Sequence, residues 1–460
     1  MIRKLLLAAA STALLATGAY AQDIATAEAL RDKALKSDLA WEITEELTDM
    51  GPRLVGSPAM ERAKDWGVAK LKAMGFTNVV AEEFAKPSWT RGEEWAEITA
   101  PYPQKLSIVG LGRTISTPAA GIEAEVVLFK TYNELLAAPA GSLKGKIAFV
   151  NEPMTRAQNG AGYGPAGAPR RGGPAEAAKR GALALLIRSV STSTSTVPHT
   201  GTTAHGTDAP NVPAAALGVP EADLLQRLAL KGPVKVKLKL ANTTDAKDVA
   251  WNIAGEIRGS EKPDEIIVIG GHIDSWDVGT GALDDATGVA ITTAAAKLIA
   301  ELPKRPKRTI RVVMWGSEES GGSSDAYLAA HKNELSKIVL AGESDTGADR
   351  IYALALPKGS AEHPAMKQAS RIMTSLKIYT DRTPAAGGGA DISGIERAGV
   401  PVINLHQDAS RYFDFHHTAD DTLDKVDPAQ LAQNVAAWAS FIYLVADSDI
   451  DFRALGAAAK

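Results

Sequence analysis

Five short segments place imidazoles and carboxylates among glycines. GGHIDSWD carries His272 and Asp274, and GALDD closes on Asp284 and Asp285. WGSEES presents Glu318 and Glu319, GESDTG presents Glu343 and Asp345, and FDFHHTADDT presents His416 and His417. The chain has no cysteine, which excludes disulfides, thiolate metal sites and a cysteine nucleophile together. Any metal must therefore be held by histidine and carboxylate, a donor set that suits zinc or a similar divalent ion.

Each member alone has an ordinary explanation. An aspartate ahead of a helix is usually an N-cap, adjacent glutamates are often a solvated pair, and His417 before Thr418 could be a core histidine. Their combination is not ordinary, because crowded carboxylates repel unless something positive holds them together. Two histidines with three or four carboxylates exceed the three protein ligands of a single catalytic zinc. They suit two metals about 3.5–4 Å apart that share a carboxylate and a water. A further carboxylate in reach would serve as general base.

The elements that must position these groups follow from the pattern of apolar residues. Continuous apolar runs over residues 265–270, 310–315, 337–342 and 400–405 read as strands buried on both faces. Residues 284–301, 361–376 and 428–445 have helical periodicity. Alternation of this kind predicts a mostly parallel sheet covered on both sides, with its site at the carboxyl ends of the strands. Each polar segment above lies at or beyond such an end. Residues 23–74 read as helices broken at Met50-Gly51-Pro52-Arg53. Residues 106–248 differ in texture, with short strands at 125–129 and 146–150 and two long loops, 158–174 and 189–206.

GGHIDSWDVGTGALDDATG, WGSEESGG, ESDTG, GGGADISGIERAGVP and FDFHHTADDT together resemble the co-catalytic zinc aminopeptidase superfamily, most of all its plasma glutamate carboxypeptidase branch. LKGKIAFVNEP and VPHTG extend the resemblance into that family's protease-associated insertion. The resemblance implies an α/β three-layer zinc-peptidase fold, formed by residues 23–105 and 249–460, with a mostly-β insertion at 106–248. It implies two Zn2+ per chain: His272 and Asp345 on one, Glu319 and His417 on the other, and Asp284 bridging both. Glu318 would be the general base, with Asp274 orienting His272 from behind. His199, Asp391 and His416 would meet substrate, and a cis peptide is expected at Asp284–Asp285. The implied activity is removal of single residues from dipeptides or short peptides with free termini, by a homodimer. A broader aminopeptidase and a non-catalytic receptor-like module of the same fold are the alternatives.

The start of the chain reads as a signal peptide. Arg3 and Lys4 precede an apolar run to Ala16, and Ala19-Tyr20-Ala21 offers a cleavage site after residue 21. No later run is long enough to span a membrane, so an exported protein, periplasmic or secreted, is expected. A formal net charge of -4 lacks the basic footprint of a nucleic-acid binder. Neither a GxSxG elbow nor an HExxH helix is present, which argues against serine-hydrolase and single-zinc alternatives.

Overall fold

The computed structural model describes residues 24–204, 211–381, 383–385 and 387–459. The expected signal peptide, residues 1–21, lies outside them. Its central sheet has five strands in the order Thr77–Ala85, Val249–Ile257, Arg308–Trp315, Lys262–His272 and Ile338–Glu343. The first two joints are antiparallel and the last two parallel, so the sheet is mixed rather than mostly parallel. The parallel half is the half that ends in the polar segments. There Ile267, Val268, Ile269, Val312 and Leu340 have no exposed surface, as strands covered on both faces require.

Helices cover this sheet. Pro58–Ala73 is started by Ser57, whose hydroxyl accepts the Met60 N–H at 3.1 Å, with proline in its first turn. Pro428–Ala446 is started the same way by Asp427. It packs on Thr287–Ala300, a buried helix rich in alanine and threonine, whose small side chains allow close approach. Leu39–Asp49 packs on the same helix, so the core is continuous from the amino-terminal helices to the closing one.

The expected fourth strand behaves differently. Its first half touches the central sheet through single bonds, Ala341 N–H to the Pro401 carbonyl at 2.9 Å and Ile403 N–H to the Ala341 carbonyl at 3.0 Å. The regular strand is Asn404–Gln407, which pairs antiparallel with Ile351–Ala355 in a separate three-stranded sheet completed by Tyr379–Asp381. An apolar run looks the same whichever sheet it joins, so periodicity could not distinguish the two.

Between Ala85 and Val249 the chain builds an eight-stranded sheet. Its order is Gln104–Leu106, Ser88–Ala100, Lys235–Asp245, Ile122–Phe129, Lys146–Val150, Ala184–Arg188, Ala214–Leu217 and Ile108–Gly110. Val219–Ala229 lies on one face and Tyr132–Ala137 with Ala168–Lys179 on the other. The sheet includes Ser88–Ala100, which lies before residue 106. The two sheets are joined by one ribbon: Ala85 pairs with Val249 in the first, and Ser88 with Asp245 in the second.

One expected loop, 158–174, contains helix. Tyr163–Ala166 and Ala168–Lys179 form there despite the glycines and prolines. A Cβ at Gly173 would come within 2.7 Å of Leu185 Cδ2, so glycine serves close helix–strand packing here. Residues 189–204 carry no regular structure, as expected; 205 and 206 lie outside the described residues.

Candidate metal centre

The parallel strands deliver their ends to one edge. His272 is the last residue of Lys262–His272. Its Nδ1 lies 2.9 Å from the Asp274 backbone carbonyl, which fixes the proton there and leaves Nε2 unprotonated in the neutral ring. That Nε2 stands 3.1 Å from Asp284 Oδ1 and 3.4 Å from Asp345 Oδ1.

Asp284 and Asp285 face opposite ways, and the peptide bond between them is cis, as expected. Asp285 is the helix-start residue: its carboxylate accepts the Gly288 N–H at 2.9 Å and the His272 N–H at 3.0 Å. Asp284 is left to face the imidazoles. Its second oxygen stands 3.2 Å from His417 Nε2 and 3.6 Å from His416 Nε2. Asp421, unnoticed in the sequence, accepts the backbone N–H groups of Leu283 and Asp284 at 2.7 and 3.2 Å.

His417 Nε2 also meets Glu319 Oε2 at 3.0 Å. His416 stacks on His417 with ring centroids 3.5 Å apart. Two groups thus have ligand atoms within 4.8 Å of one another: His272, Asp284 and Asp345, and Asp284, His416 and His417. Asp284 belongs to both. Glu319 approaches the second through His417.

Asp274 differs in detail from expectation. Its carbonyl holds His272, whereas its carboxylate, 3.6 Å from Nδ1, accepts the Glu318 and Glu319 N–H groups at 3.0 and 3.3 Å. Asp391 is buried, and its N–H donates to Glu343 Oε2 at 2.9 Å. His199 is also buried, with its N–H on the Ser189 hydroxyl and, among the described residues, no hydrogen-bond partner for its Nδ1.

The electrostatics show what is missing from such a cluster. Burial, then Asp345, pushes Glu318 well above the usual carboxylate range, and burial pushes Glu319 to about 7. Burial opposes charge on His272 and His417, yet the surrounding carboxylates outweigh it and hold both well above the ordinary imidazole value. Burial, reinforced by His417, pushes His416 well below it. Every one of these shifts of Glu318, Glu319, His272 and His417 favours the protonated form, as expected where acids crowd together. Among the described residues, the buried oxygens Asp284 Oδ2 and Glu319 Oε1 have no hydrogen bond of good geometry. Divalent cations would supply both the charge and the missing partners, so the donor set fits zinc.

Three cations around the centre gave no signal in the sequence. Arg53, fully buried, donates to the carbonyls of Ile273, Thr280 and Gly281 at 2.7, 2.6 and 3.0 Å. Lys86 donates to the Ser320 and Gly321 carbonyls at 2.7 and 2.5 Å, just beyond Glu318 and Glu319. Arg170, from the eight-stranded body, reaches His417 Nδ1 at 3.4 Å.

The model of peptidase family M28 matches residues 252–442. Carboxypeptidase Q from Mus musculus is 37% identical over 402 residues, covering 87% of this chain and 84% of that protein. Carboxypeptidase Q from Homo sapiens is 37% identical over 402 residues, covering 87% and 83%. The crystal structure of a peptidase M28 precursor from Shewanella amazonensis superposes with a TM-score of 0.90 at 42% identity, covering 93% of this chain and 98% of that one. A zinc aminopeptidase from Bacillus subtilis shares the fold, with a TM-score of 0.65 at 18% identity, covering 90% and 96%.

Proposed function

This chain belongs to peptidase family M28 and is a zinc metallopeptidase, and on that premise we propose that it is an exported exopeptidase using two zinc ions to hydrolyse dipeptides or short peptides with free termini. The observation that carries the reading is Asp284, whose two oxygens face Nε2 of His272 and of His417 at 3.1 and 3.2 Å. A carboxylate between two such imidazoles is placed to be shared by two metals. His272 and Asp345 would hold one zinc, and Glu319 and His417 the other, with His416 stacked behind as support. Bound zinc supplies Lewis acidity, polarising a peptide carbonyl and lowering the pKa of water.

The protein's own groups do the rest. Glu318 lies at the opening of the centre, partly exposed, with a carboxyl held above its ordinary range. It is placed to take a proton from the attacking water and deliver it to the leaving nitrogen. Asp274 fixes the turn that carries it. Asp391 and Glu343 add buried acid behind Glu318, which favours a substrate ammonium on that side. Support for export is the signal-like start of the sequence, and no helix among the described residues is long and apolar enough to cross a membrane. The compartment would be periplasmic or extracellular. A homodimer is proposed on the resemblance alone, with light scattering as its test.

The test is metal content measured beside dipeptide hydrolysis, for the wild type and Glu318→Ala. About two zinc per chain in both, with hydrolysis lost only in the variant, is the expected result. One zinc or none, or surviving activity, would overturn the assignment of roles. N-acetylated and C-amidated dipeptides then distinguish this reading from a broader aminopeptidase, which needs only the free amine.

A further inference from the structure

Among the described residues, Arg170 is a buried cation without a carboxylate partner. It lies on Ala168–Lys179 and is 5% exposed. Buried guanidinium groups are ordinarily paired with an anion. Among the described residues, it donates instead to the Tyr163 hydroxyl at 2.6 Å and the Thr200 carbonyl at 3.5 Å, and its Nη1 lies 3.4 Å from Nδ1 of His417. The Tyr163 ring stacks on Phe413 and meets His416 edge-on.

The neighbouring loop closes on the same histidine. The Thr200 N–H donates to the His417 carbonyl at 3.0 Å, and the Thr200 carbonyl lies 3.3 Å from His417 Nδ1. Gly201 follows with φ +126°; a Cβ there would come within 2.3 Å of Arg170 Nη1 and 2.7 Å of His417 Nδ1. Only a residue without a side chain lets carbonyl, guanidinium and imidazole converge.

We propose that Arg170, with Gly201 making room for it, is a positioning residue of the metal centre that holds the Thr200 carbonyl and the ring of His417 in place from the eight-stranded body. This rests on the assignment of His417 as a zinc ligand. The Thr200 carbonyl takes the Nδ1 proton, so Nε2 keeps its lone pair and faces Glu319 and Asp284. The guanidinium shares that carbonyl and occupies the space into which the ring would turn. Groups that orient a ligating histidine typically govern metal affinity by about 10–100-fold. The segment matched by the family model, 252–442, contains every proposed ligand but neither Arg170 nor Gly201.

The test is zinc binding in competition with a chromophoric chelator, for Arg170→Met, Arg170→Lys, Gly201→Ala and His417→Ala. Absorption of the cobalt-substituted proteins and thermal unfolding of the metal-stripped ones are read alongside. Arg170→Met and Gly201→Ala should weaken one zinc equivalent by about 10–100-fold and shift the cobalt bands. The other equivalent should stay as in the wild type, and so should the metal-stripped unfolding of Arg170→Met, whereas Gly201→Ala also carries the strain of a side chain at positive φ. Arg170→Lys should fall between, because an ammonium lacks the planar fork. Wild-type zinc affinity and cobalt spectrum in Arg170→Met would overturn the proposal. So would parallel loss of both equivalents and of metal-stripped stability, which would make Arg170 a support of the fold. His417→Ala separates the two claims: if it loses no zinc equivalent, the ligand assignment itself fails.

Discussion

The carboxylate of Asp274 accepts the backbone N–H of Glu318 at 3.0 Å, and its other oxygen lies 3.3 Å from the N–H of Glu319. One aspartate thus holds the turn that carries both the proposed base and a proposed ligand, while its main-chain carbonyl holds His272. Asp274→Asn keeps that carbonyl but sets an amide NH2 against a backbone N–H. The expected result is a kcat lower by about 10–100-fold, with zinc content and KM little changed. Steady-state kinetics with metal analysis decides it; loss of zinc instead would place the carboxylate's role at His272.

Arg53 joins elements far apart in sequence through the carbonyls of Leu47, Ile273, Thr280 and Gly281. Burial pushes its pKa down to about 10, so it stays charged at neutral pH. Arg53→Met would strip donors from several buried carbonyls, each worth about 1–3 kcal/mol when left unsatisfied. A loss of about 3 kcal/mol or more is expected in denaturant unfolding of the metal-stripped protein. An unchanged midpoint would show that other donors replace it.

Lys86 ties the far side of the same turn. Burial, then Arg113, lowers its pKa to about 8. Lys86→Met should free the Ser320–Gly321 carbonyls and let Glu318 drift, lowering kcat by up to about 100-fold. Zinc stoichiometry should hold. Kinetics at fixed pH with saturating substrate is the check, and wild-type kcat would show that Asp274 alone suffices.

His331 sits away from the centre, between Glu82 and Glu334 at 3.0 Å each, with Arg311 and Tyr327 against it. Burial lowers its pKa, but the hydrogen bonds to Glu82 and Glu334 outweigh that and raise it overall. A raised folded-state value means stabilisation that is full below the unfolded value of about 6.5 and is lost as pH rises through the folded value. The gap in Tm between wild type and His331→Gln should therefore be widest in mild acid and narrow on the alkaline side. A gap independent of pH would show that the ring acts by packing alone.

His272, Asp284, Glu318, Glu319 and Asp345 stood out in the sequence because each follows a strand or a glycine-rich turn, whereas His416 and His417 stood out only as an adjacent pair among acids. The start of the closing helix at Pro428 was legible because its aspartate–proline start is local. Arg53, Lys86 and Arg170 carried no such mark, because the contacts that tie them to the centre span more than 200 residues. Residues 158–174 misled through composition: Gly173 is there for a leucine on a neighbouring strand, not for a turn. The strands Ile351–Ala355 and Tyr379–Asp381 are short and went unread, which left residues 400–405 without their true partner.

The single ribbon between the two sheets has an evolutionary consequence. Where Ala85 faces Val249 and Ser88 faces Asp245, the chain leaves and re-enters the central sheet at neighbouring points. Closely spaced ends are what allow one module to be spliced into another without disturbing the host. A lineage could gain, lose or exchange the whole eight-stranded body by one recombination event and keep its strand order. It would then have to rebuild the surroundings of His417, so the module and the centre it overhangs are bound to diverge together.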